Sequence, residues 1–371
     1  MLRWLHGAHP GARRARWLAA VAAVLAAATG CTASLAAQTP VGSKKHSGDY
    51  VIALSNSFLG NSWRQTMVKV FQRTAGDAKR QGLISGYKVS NTSQNTATEQ
   101  IAQMKALILQ GVDAIVVDSA SPTALNPTIT QACRAGIVVV VFDSLASAPC
   151  EYDLSDDMAE YGRTEAEIVS RSLGGRGDVI LSRGLVGSGP EKIIYDAQRK
   201  ELARHPGIKV ASTVIGNSAE ADTQQAVQNV LPSLGKVSGV LTGGSSLGAV
   251  RAFQNAHRPV PAVAFENTGE ALREWQRLHD QTGYSTGSVR SEPGQAAAAF
   301  WTALDVLSGR RVPKHLAFPT LQIGQEDLAD WIRVTPNGNV ATWLWTREQT
   351  RAVIAAQGGA LPRPPIPSEA P

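Results

Sequence analysis

A chain of 371 residues, 43 % apolar and 18 % charged, is long enough to build two ordinary domains around separate cores. Its formal net charge of +6 is no nucleic-acid footprint. Arg3, Arg13, Arg14 and Arg16 sit in the first 30 residues with no acid beside them, and no basic helix or aromatic-basic interleaving follows.

In chain order, the first feature is an export signal. Arg13, Arg14 and Arg16 precede "WLAAVAAVLAAATG", a run matching the roughly 7–15 residues of a signal core and short of the ~20 that span a bilayer. It ends in "ATGC", which resembles the lipobox of bacterial lipoproteins with Cys31 as the lipidated residue, although Ala28 stands where Leu is usual. The alternative is simple cleavage near "SLAA", giving a free secreted protein. Residues 1–30 are therefore read as signal and 31–48 as a small, polar, aperiodic tether.

From residue 50 strands and helices alternate. "YVIALS" is strand-like, 61–82 is helical with Gly82 as its stop, "YKVSN" is a short strand, and 96–110 is a helix ended by Gly111. "VDAIVVD" is a buried strand, 123–135 a helix and "IVVVVFD" another buried strand. A break at 153–157 restarts the pattern. Helices at 157–173, 190–204, 219–231, 245–256 and 268–280 alternate with strands "DVILS", "IKVASTVI", "GVLTG", "AVAF" and "YSTGSV". A helix at 294–308 precedes an irregular part and a Pro-rich tail, 356–371, read as disordered. Uniformly apolar strands between such helices indicate α/β architecture with two doubly wound parallel-sheet lobes and a ligand cleft along facing strand ends. The division expected is 49–155 plus 290–321 for the first lobe and 156–289 plus 322–355 for the second. Cys133 and Cys150 flank "GIVVVVFD"; after export they form either a disulfide or two separate thiols.

Polar residues collect at the strand ends. Asp118, Asp143, Glu266 and Arg290 form a set able to bind neighbouring hydroxyls bidentately, while Ser119, Ser155 and Thr268 read as helix N-caps. Trp63 beside them offers a flat face to the C–H side of a sugar ring.

"IALSNSFLGNSWRQTM", "ILQGVDAIVVDSASPTAL", "ACRAGIVVVVFD", "LSDDMAEYGRTEA", "GVLTGGSSLGAVRAF" and "AVAFENTGEAL" follow one another in an order that resembles the periplasmic sugar-binding proteins of ribose/galactofuranose type, components of ATP-driven (ABC) importers. The resemblance spans about 50–321. It implies the type 1 periplasmic binding protein fold, ligand contacts from Ser55, Asn61, Trp63, Arg64, Asp118 and Asp143, and further contacts from Glu266 and Arg290. It also implies a sugar or polyol ligand, trapped by hinge closure across three crossovers. Implied partners are a membrane permease and its ATPase; the protein would act as a monomer, meeting the membrane only through a lipid anchor, with no cofactor and no nucleic acid. Three positions depart from the family pattern but are expected to bind ligand as well: Ser144 replaces an Arg, Lys192 is the nearest cation to a missing second-lobe Arg, and Thr242 with Gly243 replaces Asn-Asp. A receptor-linked sensor would share all these features.

The rival is an enzyme. "GSSLG" matches the G-x-S-x-G elbow of α/β-hydrolases between a strand and a helix, with Ser246 as nucleophile, Glu266 as acid and His279 or His315 as base. No HGGG-type oxyanion segment precedes it. "GLVGSG" lacks the G-K-[ST] ending of a phosphate loop, and the seven His show no metal-ligand spacing.

Overall fold

The computed structural model describes residues 48–186 and 189–370. The expected signal, the tether up to residue 47 and Cys31 lie outside the described residues. The strands and helices run β1 (Val51–Asn56), α1 (Ser62–Arg80), β2 (Gly86–Asn91), α2 (Ala97–Leu109), β3 (Ala114–Asp118), α3 (Asn126–Arg134), β4 (Val138–Phe142) and β5 (Tyr152–Asp156). Then come α4 (Met158–Ser172), β6 (Arg176–Arg183), α5 (Gly189–Leu202), β7 (Gly207–Ile215), α6 (Glu220–Val230), β8 (Gly239–Leu241), α7 (Ser246–Asn255) and α8 (Gly269–Thr282). The chain closes with β9 (Ser288–Arg290), α9 (Gln295–Leu307), β10 (His315–Phe318), β11 (Leu321–Ile323), α10 (Leu328–Val334) and α11 (Arg347–Ala355).

Six strands form a parallel sheet in the order β10-β5-β4-β3-β1-β2. β3 is buried at every position and β4 at all but its first, the condition of strands covered on both faces. A second parallel sheet runs β7-β6-β8 and continues through single bridges, Gly239 to Ala262 and Phe265 to Ser288, into β9, which pairs antiparallel with β11. The expected strand "AVAF" is thus reduced to bridges. Pro261 has no N–H to give a ladder, and Tyr284 Oη takes the Val263 N–H at 3.0 Å.

The chain passes between the sheets at 156–157, 291–294 and 319–320. A fourth crossover occurs at 335–346: α10 packs on α8 of the second lobe, whereas α11 packs on α9, which covers β3 and β4 of the first. Arg347 and Arg351 of α11 both bond Asp305 of α9, at 2.7 Å. The assignment of 322–355 to the second lobe therefore needs correction for 347–355, which lies on the first.

The tail also departs from expectation. Leu361 and Ile366 pack on the core, and Arg73 of α1 donates to the Ala370 carbonyl at 2.8 Å. Each proline fixes one backbone dihedral, so such a segment loses less entropy on docking than its composition implies.

Cys133 and Cys150 are joined, with Cα atoms 6.3 Å apart, tying the end of α3 to the loop beyond β4. Among the described residues no helix is long and apolar enough to cross a membrane.

Candidate functional site

The parallel sheet delivers the ends of β1, β3 and β4 to one edge, and α1 begins there. Asn61 caps α1, its side chain accepting the Arg64 N–H at 2.8 Å, so this residue serves the helix end. That cap aims Arg64 back at the strand ends. Its guanidinium pairs with Asp118, donates to Asn56 Oδ1 at 3.2 Å and Ser144 Oγ at 3.4 Å, and lies 3.9 Å from Asp143 Oδ2. Burial pushes the Arg64 guanidinium down to about 10, opposed by the charge of Asp143.

Asp118 is fully buried and keeps Oδ1 without a protein hydrogen-bond partner. Asp143 has φ 53°, the left-handed region that a non-glycine residue enters at a cost. Its carboxyl is raised by burial, an effect reduced by Arg64, by the Ser144 hydroxyl and by Arg290. Arg290, at the end of β9, donates to the Gly244 carbonyl at 2.8 Å. Gly244 has φ 110°, and a Cβ there would stand 3.1 Å from Tyr161 Oη and 3.3 Å from the Arg290 guanidinium. Glycine is what lets both side chains close on the loop.

Two arginines and two aspartates thus converge: Arg64, Asp118, Asp143 and Arg290. Their formal charges cancel, while their hydrogen-bonding groups have fixed directions. Such a set can bind hydroxyls as donor and acceptor at once and gives no net attraction to an ion.

Trp63 is 5 % exposed, its indole N–H donates to the Ser291 carbonyl at 3.2 Å, and the Arg64 guanidinium lies 5.5 Å from its ring centroid. The structure makes Trp63 a support beneath Arg64 and a contact to the second crossover, in place of the open stacking face read from sequence.

Other expected site residues are held elsewhere. Ser55 is buried against α2, its hydroxyl on Gln103 Oε1 at 2.5 Å. Glu266 caps α7, accepting Ser246 N at 2.6 Å, Leu247 N at 3.3 Å and the Ser246 hydroxyl. Thr242 Oγ1 accepts Gly244 N at 3.3 Å and Ser245 N at 3.2 Å, while its own N–H goes to Glu165 at 2.6 Å. Lys192 is exposed and paired with Asp196 along its own helix. Glu266, Thr242 and Lys192 therefore do not join the charged cluster.

The hydrolase geometry is also missing. Ser246 is fully buried on Glu266, His279 Nδ1 sits 3.2 Å from Tyr284 O, and His315 pairs with Asp153 on the surface. Neither His lies between Ser246 and its carboxylate.

Sequence reasoning missed three groups. Gln100 of α2, fully buried, staples β1 to β3 by donating to the Asp118 carbonyl at 2.9 Å and to the Ser55 carbonyl at 3.3 Å. Asn56 orients Arg64. At the crossovers, Gln295 donates to Asp156 at 2.6 Å, and Glu292 accepts from Trp345 Nε1 at 2.6 Å, Gly294 N at 2.7 Å and the Thr342 hydroxyl. Burial pushes Glu292 up to about 7. Asp156 is raised well above the usual carboxylate range, first by burial and then by the charges of Glu292 and Asp143. Only "SNS" after β1 carried a sequence signal for any of these.

Residues 52–311 match the periplasmic binding protein domain family. A solved ABC transporter solute binding protein from Thermobispora bispora is 45 % identical, superposes with a TM-score of 0.80, and is matched over 86 % of this chain and 100 % of its own. Curated relatives include the xylitol-binding protein of Mycolicibacterium smegmatis, 29 % identical over 57 % of this chain and 62 % of its own length. Another is the D-ribose/D-allose-binding protein of Pseudomonas aeruginosa, 28 % identical over 71 % of this chain and 84 % of its own. Members of this family are binding proteins. With two parallel sheets, a cluster of charges at their strand ends and no triad at Ser246, the chain belongs to the periplasmic binding protein domain family, among the solute-binding proteins of ABC transporters.

Proposed function

We propose that this protein captures an uncharged polyhydroxylated molecule, a sugar or polyol, outside the cytoplasm by hinge closure and passes it to an ABC permease and ATPase. The observation that carries the reading is the neutral quartet of Arg64, Asp118, Asp143 and Arg290, with Asp118 Oδ1 still free to accept. A net-charged ligand would leave one buried charge uncompensated, which costs several kcal/mol. Hydroxyl ligands of the relatives, xylitol and D-ribose or D-allose, fit the same chemistry. Export with Cys31 as lipid anchor and action as a monomer complete the proposal, which includes no covalent chemistry.

The test is a thermal-shift screen with xylitol, D-ribose and D-allose. A ligand at 100 times its Kd should add about 2.7 kcal/mol to stability. No shift with any sugar or polyol would overturn the reading.

A further inference from the structure

Thr66, Lys69 and Arg73 recur along α1 at intervals of three and four residues, which places them on one helix face. In sequence this stripe is indistinguishable from a solvated surface. In the structure Thr66 and Lys69 grip the segment at 339–340, while Arg73 grips the end of the tail at 369–370. Thr66 Oγ1 accepts Val340 N at 3.1 Å, and Lys69 Nζ donates to Asn339 Oδ1 at 2.8 Å. Arg73 donates to Ala370 O at 2.8 Å and pairs with Glu369.

The second lobe holds the same segment by different means. Gly269 N donates to Asn339 O at 3.0 Å, and Ala341 N to Asn267 O at 2.7 Å. Gly338 N donates to Glu270 Oε1 at 2.7 Å. Arg273 of α8 clamps the Thr335 carbonyl at 2.8 Å, the Ile332 carbonyl at 3.0 Å and Asn337 Oδ1 at 3.1 Å. Val340 and Ala341 are buried between the two sets, and two residues further on Trp343 is buried as well.

The two grips differ in strength. Backbone pairs at buried residues resist opening, because each group left unpaired is costly. The first lobe makes one contact of that kind, the buried Val340 N–H on Thr66, and its other hold, the end of the exposed Lys69 side chain, releases at little cost. We propose that residues 335–341 form a strap carried by the second lobe and latched to α1 of the first by Thr66 and Lys69, and that this latch limits how far the lobes separate. The strap deepens the hinge-closure reading and rests on it for its role, yet it can be tested without any ligand.

Small-angle X-ray scattering of the ligand-free Lys69→Met variant, which alters only an exposed side chain, should show a larger radius of gyration than the parent. Thr66→Ala should make the Val340 amide exchange about fivefold faster, the equivalent of one net hydrogen bond. An unchanged radius in the Lys69→Met variant overturns the latch, as does unchanged Val340 exchange in a folded Thr66→Ala. A wider ligand-free variant of a protein that responds to no sugar or polyol upholds the latch and removes only the sugar-binding reading.

Discussion

Arg64 is 12 % exposed and its partner Asp118 not at all, so each charge depends on the other. Removing one member of such a pair strands the other in a low-dielectric site. Arg64→Met should therefore cost about 3 kcal/mol of stability in urea unfolding as well as abolish ligand binding. Loss of binding with unchanged stability would show that Asp118 is protonated or solvated in the variant.

Glu292 gives a prediction about pH. Its carboxyl is near 4.5 in an unfolded chain and about 7 when folded, so the native state holds the proton more tightly. The stability this contributes is complete below about pH 4.5 and disappears as pH rises through 7. Across that window it amounts to about 3 kcal/mol, and the raised Asp143, Asp156 and Glu165 act in the same direction. Glu292→Gln should flatten the slope of unfolding free energy against pH; an unaltered slope would assign it to the other carboxyls.

At the scale of elements, β3 and β4 were legible because a strand buried on both faces is apolar nearly throughout, and β1 because "VIAL" is apolar up to Ser55 and Asn56 at its end. Positions 262–265 looked equally apolar and yet made only single bridges, since the ladder depends on neighbours that Pro261 and Tyr284 supply differently. β10, "HLAF", alternates exposed and buried, a half-buried edge-strand signal that four residues make easy to overlook. α10 and α11, seven and nine residues long, are too short to show a period and owe their existence to the helices they cover. The disulfide ties together elements separated by 17 positions. Loop-closure entropy for such a spacing is worth roughly 3 kcal/mol, so reductant should lower unfolding stability by about that amount. No change with reductant would mean that local packing of α3 against β4 already restrains the unfolded loop.

Across the whole molecule, the division between sequence and tertiary structure follows the range of the interactions. Burial on both faces of a sheet is written into each strand locally, so the α/β class, the two lobes, the placing of Asp118, Asp143 and Arg290 at strand ends and of Arg64 in the first turn of the helix after β1 could all be read from the chain. Competition for a polar side chain cannot be read that way. Glu266 and Thr242 stand at strand ends just as Asp118 does, and only the folded chain shows that helix α7 and the loop beyond β8 consume their hydrogen bonds. Trp63 is a ring at the cleft edge in sequence, but its face is covered once the second crossover places Ser291 against it. The fourth crossover depends on contacts such as Lys69 with Asn339 and Thr66 with Val340, more than 250 residues apart along the chain. No periodicity records a contact of that span, because each partner alone satisfies every local rule for an exposed helix face or a polar loop.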